Sequence, residues 1–362
     1  MLFVAVPISV IAGMFSPLDA QSSAATRRIA IEPVTRLVDK EGLLSGGPVH
    51  VSRAPDGSAY VVLERSEAVE ALYVFGANGT FRARVGRRGS GPGEFDRPWF
   101  SLFSRDGSLH VLDVGLNRRT VIALSGEPKV IRMAPMEARC ADFSAAAMLP
   151  DERIVMACGL ADPKSAGYAL HEVDRNNKIV TTFEPVNFDV RRRFLLQRVL
   201  HVRSDGSVLS GDVHNMAIVE HAPNRTTSTR VQLRAAWAAP IDADEAPSDG
   251  SFERRPTPRL AAVWEDSHAI WVAAHVPSPQ WKPGPSLREL LQAGRKPQEG
   301  QARVRYDCVI EALDRRTFAT IASQRMRGTG CGNAIGNGYF VRTSSEADVV
   351  TLDVVHVRLT AH

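Results

Sequence analysis

Four arginines stand just before, or at the start of, apolar segments of the chain: Arg97, Arg139, Arg198 and Arg259. A guanidinium is a planar fork of donors that grips a carboxylate or phosphate at two points. Four of them around one opening would hold an anionic small molecule or an acidic glycan. Trp99 and Trp281 would then supply ring surface for its apolar or sugar parts. Asp96, Glu137, Asp142 and Glu253 lie near the same arginines in sequence and would neutralise them, which is the competing reading. Asp142 and Asn333 are the polar residues expected to point inward, and they bring few further acids with them.

Other chemistries find less support. The ten histidines include His201, His214 and His221 close together, then His268 and His275, but these spacings match no metal-ligand pattern. No nucleophile elbow, phosphate loop or H-E-x-x-H helix is present. Gly89-Ser90-Gly91-Pro92-Gly93 is glycine-rich, yet it precedes a strand rather than a helix N-terminus, so it does not cradle phosphate.

The elements that must position these residues are strands. Asp56-Gly57-Ser58, Asp106-Gly107-Ser108 and Asp205-Gly206-Ser207 are tight turns, with Pro150-Asp151-Glu152 and Glu265-Asp266-Ser267 as variants. Asp-Gly supplies the positive φ that a short hairpin needs. Each turn leads into a short β-branched or aromatic run, such as Tyr60-Val61-Val62-Leu63 or Ile270-Trp271-Val272. A second turn class, including Ala77-Asn78-Gly79 and Pro223-Asn224-Arg225, closes outer hairpins. Two of these turns carry N-x-[ST] sequons, at Asn78 and Asn224, for which the turn itself is sufficient explanation.

This rhythm gives units at roughly 48–86, 98–132, 141–183, 199–234, 258–326 and 332–359. The last has only three strands, while Arg28–Val38 is a lone strand before the first. If that strand completes the last unit, the ring closes and no sheet edge is left between first and last. The expected fold is all-β, a six-bladed β-propeller closed by an N-terminal strand. The closure arithmetic favours six blades over seven.

Gly86-Arg87-Arg88-Gly89-Ser90-Gly91-Pro92-Gly93-Glu94-Phe95-Asp96-Arg97-Pro98 resembles the inter-blade linker of NHL-repeat propellers. Asp106 to Asp113, followed by Asn117-Arg118, is similar to the rest of that repeat, although Val114-Gly115-Leu116 departs from its usual polar run. The resemblance covers about a tenth of the chain. It implies the TolB-like six-bladed propeller superfamily, in which Asp113, Asn117 and Arg118 brace blades rather than bind ligand. Similar folds include lactonases that use inward Glu, Asn and Asp.

In a propeller the first-to-second and third-to-fourth strand turns share one face. Here those turns are short, and the insertions Gly86–Pro98, Gly159–Gly167, Glu184–Arg198, Ala239–Pro258 and Pro277–Arg303 all fall on the other face. Long loops on a rigid scaffold are where function collects. Within residues 277–303, Ser286 and Gly294 bracket Leu287, Leu290 and Leu291, which predicts a short helical lid or plug. The same geometry pairs Cys140 with Cys158 and Cys308 with Cys331, free buried thiols being the alternative.

The bulk numbers fit this picture. The 362 residues are 44% hydrophobic and carry a net charge of +4, with an arginine excess scattered among acids rather than clustered as a nucleic-acid surface would be. Residues 1–20 look like a secretory signal without a basic start, and 21–362 form one domain with no membrane span. An even cysteine count behind such a segment points to a secreted or periplasmic protein. Three functions remain open, in order. The first is a non-catalytic scaffold binding a ligand or protein on its loop-rich face. The second is a metal-dependent hydrolase or lyase with an axial site. The third is a structural envelope component. No cofactor is expected; a single axial calcium or zinc stays open, because propeller metals draw ligands from several blades. Three or more converging acids, amides or histidines would favour the second function, and an axis of apolar residues and arginine the first.

Overall fold

A computed structural model describes residues 27–38, 44, 50–65, 70–160, 167–186, 195–238, 255–282, 292, 306–346 and 349–360. Its strands form six four-stranded antiparallel sheets and one two-residue parallel pair, Arg87–Arg88 with Glu94–Phe95. The chain is an all-β six-bladed propeller.

The innermost strands of the six blades, in order, are His50–Arg53, Pro98–Phe103, Cys140–Met148, Arg198–Val202, Arg259–Glu265 and Asn333–Ala334. Each is followed outward by the next strands of its own blade, except in blade 6. There Tyr339–Glu346 and Val349–Thr360 are completed by Arg28–Val38, which pairs from Arg28↔Thr360 to Val38↔Thr351. The N-terminal strand therefore closes the ring. Arg53 of blade 1 reinforces the seam, its guanidinium lying 4.2 Å from the Tyr339 ring centroid of blade 6.

Middle strands are covered on both faces, so they read as continuous apolar runs. Leu109–Asp113 and Val208–Asp212 are buried at every position. Outermost strands alternate, as in Phe81–Val85. The six core clusters among the described residues lie between neighbouring blades rather than within them. One joins Val61, Leu72 and Val74 of blade 1 to Leu109, Val111 and Ile122 of blade 2. Another joins Trp264 and Trp271 of blade 5 to Phe340 and Val355 of blade 6. A fully buried side chain of this size contributes about 1.5–3 kcal/mol, so blade-to-blade packing is the main cohesion of the ring.

Turns set the blade pitch. Gly57, Gly107 and Gly206 sit at φ of 75°, 83° and 85°, and Asp56, Asp106 and Asp205 each accept the Ser N–H two residues on at 2.9 Å. The linker between blades 1 and 2 is held from inside. Asp113 accepts N–H bonds from Asp96, Arg97 and Leu116 at 2.9, 3.1 and 3.0 Å. Asn117 donates to Met136 O, and Arg118 donates to Ser90 O, Gly91 O and Glu94 O. These three residues are blade braces. Phe95 is buried beneath the linker, and a Cβ on Gly86, where φ is +86°, would come 2.3 Å from its ring. The glycine-rich stretch holds no open anion cradle, because the Glu94 carboxylate accepts the Gly91 N–H at 2.8 Å and pairs with Arg87.

Both cystines form, Cys140–Cys158 with a Cα–Cα separation of 5.5 Å and Cys308–Cys331 with 4.7 Å. No helix among the described residues is long and apolar enough to cross a membrane. The signal-like residues 1–20 and most of the 277–303 insertion, including Ser286, Leu287, Leu290, Leu291 and Gly294, lie outside the described residues.

Candidate functional site

All six innermost strands, with the segments beside them, enclose an axial cavity of about 480 Å³. This volume suits a small molecule. The cavity reaches the end of the barrel where innermost strands begin, the end that also carries the long connections. Its wall has two halves. On blades 1 to 3 stand His50, Trp99, Phe100 and Phe143. His50 meets Phe100 edge-on at 5.1 Å, and Phe100 meets Phe143 edge-on at 4.9 Å. On blades 4 to 6 stand Gln197, Arg259, His275 and Asn333, among Leu200, Ala261 and Ala334. None of the described lining residues is acidic.

The sequence-derived candidates divide. Trp99, Arg198, Arg259 and Asn333 line the cavity. Arg97 does not: it is 61% exposed, with its guanidinium 3.9 Å from Asp96. Arg139 is exposed outside the wall. Trp281 sits half-buried in a turn, its N–H bonded to Ser278 O at 3.0 Å, and does not line the cavity. The side chain of Asp142 lies outside the described residues.

Arg198 is present in the wall but already engaged. Its side chain is 1% exposed and paired with Glu184, which arrives from the outer strand of blade 3. It also donates to Leu195 O and Gln197 O, and lies 3.7 Å from Asp212. His221 bonds the other Glu184 oxygen at 2.8 Å. Burial pushes the Glu184 carboxyl up, but the His221 bond and the Arg198 guanidinium outweigh it and hold the group down to about 2. The triad ties blade 3 to blade 4. Arg259 stays in the wall, with its guanidinium 5.3 Å from the Tyr306 ring centroid.

Sequence reasoning missed His50 and Gln197, and weighed His275 only as a metal ligand. His50 opens the first strand of blade 1 just as Arg198 and Arg259 open theirs, so aligning the units would have found it. Burial pushes the imidazoles of His50 and His201 down to about 4, so both are neutral at ordinary pH. His201 also lines a second cavity of about 630 Å³ at the short-turn end, with Phe103, Arg105, Met148 and Glu265. One imidazole thus stands between the two ends of the axis. Among the described residues no group of three or more His, Cys, Asp or Glu is placed to hold a metal ion. Chemically, the axial cavity is lined by rings for stacking, the Arg259 guanidinium and the amides of Gln197 and Asn333.

Residues 50–184 match the DUF5128 family model, described as a 6-bladed beta-propeller. No curated protein matches the chain. Among solved structures, the chain is similar to a member of the DUF4221 family from Bacteroides vulgatus, with a TM-score of 0.60 and 10% identity over 92% of this chain and 99% of that one. It is also similar to a Bacteroides fragilis protein described as exported, with a TM-score of 0.58 and 11% identity over 92% of this chain and 96% of that one. At these identities the likeness is one of fold, and it runs over nearly the whole length of both chains.

Proposed function

We propose that this chain is an exported binding propeller that holds a small anionic molecule in the axial cavity at its loop-rich end. The observation that carries the reading is the composition of the wall: an aromatic arc faces Arg259 and amide side chains, with no acid among the described lining residues. Such a wall attracts an anion with an apolar body and, among the described residues, gives a hydrolytic metal no carboxylate ligand. Export is supported by the signal-like start of the sequence and the two cystines. The linker clamped by Asp113, Asn117 and Arg118 supports kinship with NHL-repeat, TolB-like propellers.

The test is isothermal titration of the mature protein with 1-naphthoate. Trp99→Ala and Arg259→Glu each weaken binding at least tenfold, while Arg139→Glu, outside the wall, leaves it unchanged. Equal affinity in all four proteins sinks the axial location.

A further inference from the structure

The polar side chains of the axial cavity differ in what they have left to offer, and that difference selects among ligands. His50 Nδ1 accepts the Ser101 backbone N–H at 3.4 Å and lies 3.2 Å from Ser101 Oγ, which in turn bonds Ser52 Oγ at 3.0 Å. A backbone N–H can only donate, so Nδ1 bears the lone pair and Nε2 bears the proton. The ring is neutral, and its Nε2–H has no partner among the described residues. Gln197 shows the same logic. The buried His214 places Nε2 2.9 Å from Gln197 Oε1. An amide oxygen can only accept, so the Gln197 oxygen is taken and its NH₂ is left as a donor. His275 adds a matching tautomer, because its Nδ1 accepts the Cys331 N–H at 3.4 Å.

Among the described residues, two cavity side chains therefore have their acceptor atoms occupied and their donor atoms unspent. His50 belongs to blade 1, and Gln197 leads into blade 4. In a ring of six sequential blades these lie on opposite sides of the axis. Between them run the rings of Trp99, Phe100 and Phe143.

We infer that the axial cavity selects planar aromatic acids that carry a hydrogen-bond acceptor at each end of the ring, such as aromatic dicarboxylates or oxo-acids, and rejects hydroxyl-rich glycans. This rests on the binding role proposed above and names its ligand class. Each end of the ligand meets a preset N–H, and a carboxylate accepts such bonds strongly. A sugar brings several O–H donors into a wall whose His50 and Gln197 acceptors are already used, and each buried unmatched donor costs affinity.

Three probes separate the possibilities by isothermal titration: naphthalene-2,6-dicarboxylate, 2,6-bis(hydroxymethyl)naphthalene with the same ring, and glucuronate. The dicarboxylate is expected to bind at least tenfold tighter than the diol and the sugar acid. Gln197→Glu, which keeps the shape but replaces the donor with an acceptor, lowers dicarboxylate affinity at least tenfold and leaves the diol no weaker. His50→Phe lowers dicarboxylate affinity while keeping a ring against Phe100, with thermal melting confirming that each variant is folded. If glucuronate binds as tightly as the dicarboxylate and Trp99→Ala weakens it, the donor-selection inference is overturned and the anion-binding role stands; if the neutral diol does so, both are overturned. If the dicarboxylate binds but Gln197→Glu and His50→Phe leave its affinity unchanged, the inference is likewise overturned. If no probe binds, both readings fall together.

Discussion

Glu184 illustrates how one side chain serves fold and site together. Its carboxylate is 7% exposed and is met by Arg198 and His221, and Arg198 is then part of the cavity wall. Removing the carboxylate takes the close ion-pair partner from a buried guanidinium and leaves it only Asp212 at 3.7 Å, and breaking a buried pair typically costs about 3–5 kcal/mol. Glu184→Gln is therefore expected to lower the unfolding free energy, read from urea denaturation, by about that much at neutral pH. The pH dependence has two limbs. Burial holds His50 and His201 near 4 in the fold against an ordinary 6.5, so stability that is full above pH 6.5 is lost as pH falls towards 4. Glu184 is held at about 2 against 4.5, so its contribution is full above pH 4.5 and disappears as pH falls towards 2. Melting temperature measured from pH 8 to 2.5 should decline through both windows, and Glu184→Gln should flatten the lower one only. Arg198 could be placed at a strand start from the sequence. That its charge was already matched could not, because Glu184 belongs to the neighbouring blade and no spacing along the chain announces which blades' side chains meet.

At the scale of elements, the short turns were legible and the long connections were not. Asp-Gly-Ser fixes a local conformation with three residues, so the hairpins could be read directly. A long connection has no such local code, and its role depends on where it docks. Both cystines sit beside the ends of such connections. Cys140 opens the innermost strand of blade 3, and Cys331 immediately precedes Gly332 and Asn333 in the cavity wall. They fasten two entries into the site. Replacing Cys308 and Cys331 together by Ala should destabilise the fold by about 2–4 kcal/mol. It should also weaken 1-naphthoate more than the same stability loss introduced at Gly86→Ala, which strains the linker over Phe95 away from the wall. Calorimetry and titration on the two variants give the comparison.

At the scale of the whole molecule, six clusters between six blades make a ring in which each interface depends on closure. Deleting residues 27–38 leaves blade 6 with a long exposed edge along Val349–Thr360. Such an edge pairs with other chains. The deletion should broaden the thermal transition and shift the protein to oligomers on size exclusion, and a peptide of residues 27–38 added in trans should reverse both. Intact protein and deletion behaving alike would show that the seam is dispensable. The closing strand has a further consequence in time. Arg28 and Thr360, 332 positions apart, are partners across the seam. During synthesis the strand Arg28–Val38 is therefore an orphan until Val349–Thr360 follows it, and the blades between them must assemble around a gap that only that late segment can fill.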